Sequence, residues 1–445
     1  MRREILMPSV TPSMEDGKIA RWHVAEGQAV AAGDLLAEVV TSSATLEIEA
    51  ENEGHVERIL VPAGTEGVKV NTPIAVLLGG MPETRSARSG QMLGFASLDT
   101  PSRPEPPRAA APRIDVRRGD DQGLTYREAL RDALADEMRR DPDVFLIGVD
   151  VTQNRGAQRV AQGLADAFGP RRVVSVPALD EAALGLAVGA AYAGLKPVVE
   201  IGSWGRSLDA IWSALIGAAE TFYLSGGKLP VPIVFRGPNG FSPGMTGEEA
   251  RCVASVLARI PGLKVVQPAT AAAAGALLTA AIRDPGPVAV LEHTQLYATR
   301  DDGVDRTEFA LGRARVARAG TDVTIAAAGH ALVTAFAAAA ALSEDGISAE
   351  VVDLMSIRPL DREAVMASVA RTGRLVTVED GWGDAGIGAE VVASVVADRF
   401  DALKSPPKRI AGAPVPMPYA PDLQAHALPT AEEIARVVTA MVRGG

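Results

Sequence analysis

The residues able to do chemistry are few and scattered. In "PALDEAALGLAVGAA" two acids, Asp180 and Glu181, stand together where a strand gives way to a helix. An aspartate at such a turn caps a helix, and a carboxylate held there can equally exchange a proton with a ligand. "GMTGEEARC" puts Glu249 shortly before Cys252, the single cysteine of the chain, and "SWGRSLDAIW" holds Trp204, Arg206 and Asp209 close together. "LLAEVVTSSATLEIEAENEG" alternates like a hairpin, with Thr41, Ser42 and Ser43 at its polar tip. A solvated turn is preferred there over a phosphorylation site. No His and Cys stand at metal-ligand spacing, and no serine sits in a nucleophile elbow. A lone His330 in "AAAGHAL" reads as a core histidine, and Gly226-Gly227 and "RGPNG" as backbone turns. Residue types alone leave no self-contained catalytic set.

The elements that must position these residues are easier to read. Residues 1–79 hold an internal repeat: "GKIARWHVAEGQAVAAGDLLAEV" from Gly17 and "GHVERILVPAGTEGVKVNTPIAVL" from Gly54. Gly17 matches Gly54, Trp22 Ile59, Val24 Val61 and Gly27 Gly64; after one inserted residue Val30 matches Val68 and Leu36 matches Ile74. Two such strings of short strands predict a small β-sandwich. Residues 80–121 are rich in Pro, Ala and Arg without periodicity and read as an extended linker. Two α/β domains follow, at 122–300 and 315–445. Their strands include "VFLIGVDV", "RVVSVP", "KPVVEIG", "PIVFRGP", "LKVVQP", "PVAVLEH", "VTIAAAG", "AEVVDLM" and "RLVTVED". Helices are expected at "TYREALRDALADEMRRD", "GAQRVAQGLADAFGP" and "EAALGLAVGAAYAG". Continuous Val/Ile runs between helices predict largely parallel sheets covered on both faces.

Composition bounds the function. With 445 residues, 47% of them apolar, the chain can bury a sizeable core, and a net charge of −11 argues against a nucleic-acid partner. One cysteine excludes an intrachain disulfide and fits a reducing compartment. No stretch reads as a signal peptide or membrane span, so a cytoplasmic protein is expected.

The whole chain resembles a known family. Residues 1–79 are similar to the lipoyl domains of 2-oxo acid dehydrogenase complexes. Residues 124–445 resemble the β subunit of their thiamine-diphosphate-dependent decarboxylating component, best known from pyruvate dehydrogenase. "GAQRVAQGL", "LSGGKLPVPIVFRGPNG", "IPGLKVVQP", "AIRDPGPV", "SIRPLD", "GWGDAGIGAEV" and "PVPMPYA" carry the resemblance. It implies a transketolase-type pyrimidine-binding domain and a transketolase C-terminal-like domain. It also implies an α subunit in an α2β2 heterotetramer that holds Mg²⁺ and the diphosphate, and an acyltransferase core as a further partner. The β chain would supply a carboxylate to the aminopyrimidine ring, a task that demands close positioning.

At the chemistry-bearing positions the sequence departs from the family. Ser43 stands where the lipoyl lysine is expected, so no lipoate is expected. Asp180 takes the place of the cofactor-activating glutamate, with Glu181 beside it. Asp is shorter by one methylene, so its carboxylate would fall about 1.5 Å short unless the backbone moved. Glu249 replaces a histidine, and Arg206 an aromatic of the cofactor pocket, next to Trp204. An Arg206 pairing with Glu249 or Asp180, or binding an anionic substrate, are the open alternatives. Asp284 resembles a position in a monovalent-cation loop, and His330 a histidine of the C-terminal domain. Three functions remain open: a working decarboxylating β subunit using Asp180 or Glu181, a diverged acyl-transfer or carboligating enzyme, and a non-catalytic partner of an α subunit. One test is immediate. The chain expressed with a lipoyl ligase and lipoate should show no lipoyl adduct by intact mass; an adduct on Lys18 or Lys69 would contradict the reading of the tip.

Overall fold

The computed structural model describes residues 2–7, 16–30, 34–40, 45–50, 54–70, 72–78, 123–152, 159–179, 181–241, 247–300 and 309–444. The chain divides into two compact units, Met1–Glu105 and Pro106–Gly445. The linker expected at 80–121, the tip residues 41–44 and Asp180 lie outside the described residues.

In the first unit, β1 (Arg2–Leu6), β2 (Asp16–Trp22), β3 (Ala29–Val30), β4 (Leu35–Val40), β5 (Thr45–Glu49), β6 (Gly54–Ile59), β7 (Val68–Lys69) and β8 (Pro73–Leu78) form two four-stranded sheets. Their orders are β1-β8-β6-β3 and β5-β4-β2-β7, so each repeat contributes equivalently to opposite sheets. The paired glycines show why the repeat is visible. Gly27 and Gly64 both adopt positive φ, which glycine tolerates best. The Gly27 N–H donates to Val56 O and the Gly64 N–H to Ile19 O, at equivalent places in the other repeat. The expected hairpin is present as antiparallel β4 and β5, paired from Leu35↔Glu49 to Val40↔Thr45.

The second unit opens with α1 (Tyr126–Arg140), started by a capping box between Thr125 and Glu128. There follow β9 (Val144–Val149), α2 (Leu164–Phe168), β10 (Val173–Val176), α3 (Glu181–Tyr192), β11 (Lys196–Glu200), α4 (Trp204–Leu224), β12 (Val234–Pro238), α5 (Ala254–Leu257), β13 (Lys264–Val266), α6 (Ala271–Arg283) and β14 (Val288–Glu292). The C-terminal half adds β15 (Arg315–Arg318), β16 (Val323–Ala327), α7 (His330–Glu344), β17 (Ala349–Asp353), β18 (Ser356–Arg358), α8 (Arg362–Thr372), β19 (Leu375–Trp382), α9 (Ile387–Arg399), β20 (Lys408–Gly412), α10 (Pro421–Ala427) and α11 (Ala431–Arg443). Sheet orders are β10-β9-β11-β12-β14-β13-β18 and β15-β17-β16-β19-β20, parallel except for β18 and β15. Among the described residues, no helix is long and apolar enough to cross a membrane.

The structure corrects the helix expected after β9. The sequence predicts a helix throughout "GAQRVAQGLADAFGP"; among its described residues, 159–170, the α-helix is confined to Leu164–Phe168. Gly163 sits at φ +80° and Arg159 at φ +60°, left-handed conformations that interrupt a right-handed helix. Sequence periodicity also gave no sign of β18. This strand of the C-terminal half pairs with β13, Val265↔Arg358 and Val266↔Ser356, and continues the first sheet. Hydrogen bonds from Gln267 N–H to Met355 O (2.7 Å) and Gly329 N–H to Gln267 O (3.1 Å) reinforce the seam.

At the centre of the first sheet lies a buried ion cluster. Arg236 on β12 reaches Glu200 on β11 (Nη1–Oε2, 2.5 Å) and Glu292 on β14 (Nε–Oε1, 2.5 Å), with a second Nη2 bond to Glu292. The Tyr297 hydroxyl donates to Glu292 Oε2 at 2.5 Å. Arg236 and Glu292 have essentially no exposed surface. Burial alone would lower the Arg236 pKa, but the Glu292 and Glu200 carboxylates outweigh it and keep the guanidinium charged. Arg236→Met would leave two buried carboxylates without their cation. Breaking a buried pair costs about 3–5 kcal/mol; the variant should therefore show a much lower urea midpoint, and an unchanged midpoint would contradict this account.

Candidate functional site

The parallel strands of the first α/β sheet bring their carboxyl ends to one edge, the usual ligand-binding edge of such a sheet. Strand β10 leads towards α3, β11 into α4, and β12 into the segment ending at Cys252. The topology thus brings the start of α3, the start of α4 and the segment ending at Cys252 to this edge.

Glu181 opens α3 and is exposed. Asp180, just before it, lies outside the described residues. Ser203 caps α4: its side chain accepts the Arg206 N–H at 3.4 Å and donates to Glu249 O at 3.2 Å. The first turn of α4 therefore holds the segment around Glu249. That contact is close enough to require Gly205, since a Cβ there would lie 2.0 Å from Glu248 O. Arg206 and Glu249 form the ion pair that the sequence left as one alternative, Nη1–Oε1 2.8 Å. With the two side chains 70% and 36% exposed, the pair contributes little to stability. Its consequence is local: a charged pair stands where the family resemblance placed an aromatic and a histidine.

Trp204 does not fill the pocket-lining place expected of it. It is wholly buried in the core with Ile211, Leu215 and Phe235, and its indole N–H has no partner among the described residues. Asn239 organises the next layer, accepting the Val253 N–H at 2.8 Å and donating to Cys252 Sγ at 3.4 Å. Desolvation pushes the Cys252 thiol up to about 11, so it is a neutral packing group rather than a nucleophile.

Asp284 follows α6, where Oδ2 pairs with Lys264 and Oδ1 accepts the Gly286 N–H at 2.9 Å. Both oxygens are engaged by the protein, an arrangement that a loop-stabilising role explains.

Sequence reasoning did not find the cluster of His293, His330 and Asp380. His330 begins α7 and is a quarter exposed; its ring stacks on His293, centroids 4.5 Å apart and planes 16° apart. Burial holds the His293 pKa down to about 4. His293 follows the last residue of β14, and Asp380 lies in β19. Their separation along the chain hid them, although a polar residue just beyond a buried parallel strand is a usable signal. Beside Asp380 lies a cavity of about 30 Å³, lined in part by Cys252, Gln267, Thr377 and Glu379. Glu379 accepts the Ile387 and Gly388 N–H groups at the start of α9, yet burial raises its pKa to about 7.

Residues 3–77 match the family described as "Biotin-requiring enzyme", residues 122–300 "Transketolase, pyrimidine binding domain", and residues 312–434 "Transketolase, C-terminal domain". The pyruvate dehydrogenase E1 component subunit beta of Rhizobium meliloti is 43% identical, covering 98% of this chain and 99% of its own length. The pyruvate dehydrogenase E1 component subunit beta-2, mitochondrial, of Oryza sativa is 48% identical over 70% of this chain and 85% of its own. A solved split-gene transketolase, described as an inactive beta4 tetramer, superposes with a TM-score of 0.60. It has 23% identity and covers 72% of this chain and 99% of that one, a likeness of fold.

Proposed function

The chain belongs to the family of pyruvate dehydrogenase E1 component β subunits, and from that premise we propose that it works as the β subunit of a thiamine-diphosphate-dependent 2-oxo acid decarboxylase. It acts with an α subunit, in an α2β2 heterotetramer in the cytoplasm. The α chain contributes the Mg²⁺ and diphosphate side of the site, and this chain the aminopyrimidine side. The observation that carries the reading is the shared edge at which α3 and α4 begin, with Glu181 exposed and Arg206 paired to Glu249 beside the first turn of α4.

The residues fit one side of the cofactor. Glu181 is exposed at a helix start, and Asp180 precedes it in sequence, so a carboxylate is available to a ring nitrogen at this edge. The opening does not depend on Trp204, which packs inward. Thiamine diphosphate bound there would supply a nucleophilic carbon and a sink for the electrons released by decarboxylation. The task of Asp180 or Glu181 is to hold a proton at the aminopyrimidine. Arg206 offers the substrate carboxylate a cation, and Glu249 limits that attraction by neutralising it.

A partner's place is also available. Leu186 on α3 is 57% exposed, and Tyr223 and Leu224 at the end of α4 are 84% and 75% exposed. Apolar side chains this open on neighbouring helices suit a protein interface. The test is co-expression with an α subunit, followed by pyruvate turnover with Asp180→Ala and Glu181→Ala in parallel. The acid serving the cofactor should lose about 10²–10⁴-fold in kcat when replaced, the range for a proton-transfer group. A complex whose turnover survives both changes would reject these acids. A complex that binds cofactor without turnover would favour the non-catalytic role.

A further inference from the structure

Three side chains that the proposed reaction does not use meet at the seam between the two α/β domains. His293 immediately follows β14 in the first domain; His330 on α7 and Asp380 on β19 come from the second. One donor atom from each lies within 4.8 Å of the other two. We propose that His293, His330 and Asp380 form a binding site for a divalent first-row transition-metal ion that clips the two domains together. The inference stands apart from thiamine chemistry and needs no α subunit.

The chemistry of the donors fits such an ion. Two imidazoles and one carboxylate suit zinc, cobalt or iron better than the oxygen-seeking magnesium or calcium. The geometry is that of groups gathered without being bonded. His330 Nδ1 and Asp380 Oδ1 are 3.6 Å apart, too long for a hydrogen bond. It is close to the spacing of about 3.4 Å that two ligand atoms keep across a tetrahedral ion with bonds near 2.1 Å.

A second observation points the same way. The Asp380 side chain is more than nine-tenths buried, with 8% of its surface exposed. Its Oδ2 has no hydrogen-bond partner among the described residues. A buried carboxylate oxygen left without a partner is costly, and a bound cation removes that cost.

Two features must yield on binding. In the stacked pair the ring planes are only 16° apart, so the nitrogen lone pairs run side by side instead of converging. His330 can leave the stack, because it is a quarter exposed and occupies the first position of its helix. The same opening admits the ion. The Gln295 N–H reaches His293 Nδ1 at 3.3 Å, a long contact that is given up when the ring changes tautomer. The start of α7 carries a partial positive charge, which the Asp380 carboxylate offsets.

The test uses the full chain, stripped with chelator and titrated with Co²⁺ and with Zn²⁺. Expected are one ion per chain at micromolar concentration or below, a visible Co²⁺ absorption band, and a melting temperature raised by Zn²⁺. His330→Ala and Asp380→Asn should each weaken binding at least about tenfold, whereas His426→Ala, at an exposed histidine elsewhere, should leave it unchanged. Circular dichroism of the metal-free variants confirms folding. Absence of an ion at micromolar concentration, or equal binding by the parent and the His330 and Asp380 variants, overturns the proposal.

Discussion

The guanidinium of Arg236 is the constraint on which the rest depends. It spans three adjacent strands, β11, β12 and β14, and meets carboxylates on the outer two. All three charges are removed from water, so each tolerates burial only while the others hold their places. Glu200 stands three residues before Ser203, the cap of α4, and Glu292 immediately precedes His293. Asn239, just past β12, donates its N–H to Glu292 O at 2.7 Å. A cluster that packs no ligand itself thus fixes where α4 begins, where the Cys252 segment departs, and where the domain seam starts.

From that anchor the edge chemistry follows by short steps. Ser203 ties α4 to Glu249, Gly205 permits the close approach, and Arg206 pairs across it. In the proposed reading this is one face of a site, beside helices with exposed apolar residues. A chain that supplied a whole site would have little reason to leave Leu186, Tyr223 and Leu224 in water. An acid at the start of α3, an arginine paired with Glu249 and exposed apolar side chains fit the proposal that a second subunit completes the site.

Much of this was legible in the sequence. The repeat between Gly17 and Gly54 foretold two equivalent sheets, because turns needing positive φ at Gly27 and Gly64 leave a periodic mark. Val-rich runs foretold parallel strands, because burial on both faces demands them. The Arg206–Glu249 pair was legible as one of several alternatives. Three features were not. The left-handed Gly163 is indistinguishable in a helical pattern from a tolerated glycine, so the pattern extends beyond the true start of α2. Strand β18 is three residues long and joins the sheet of the other domain, a tertiary contact without a local signal. His293, His330 and Asp380 come from separate elements, and only the packing of the two domains brings them together. Trp204 differs for a related reason: the family resemblance implied a pocket wall, whereas the side chain is buried in the core.

The central claim is that this chain holds one half of a shared cofactor site. Calorimetric titration of thiamine diphosphate with Mg²⁺ tests it most directly, on the chain alone and on the complex with its α subunit. The account predicts no measurable binding to the isolated chain and stoichiometric binding to the complex. Tight binding by the isolated chain would contradict it.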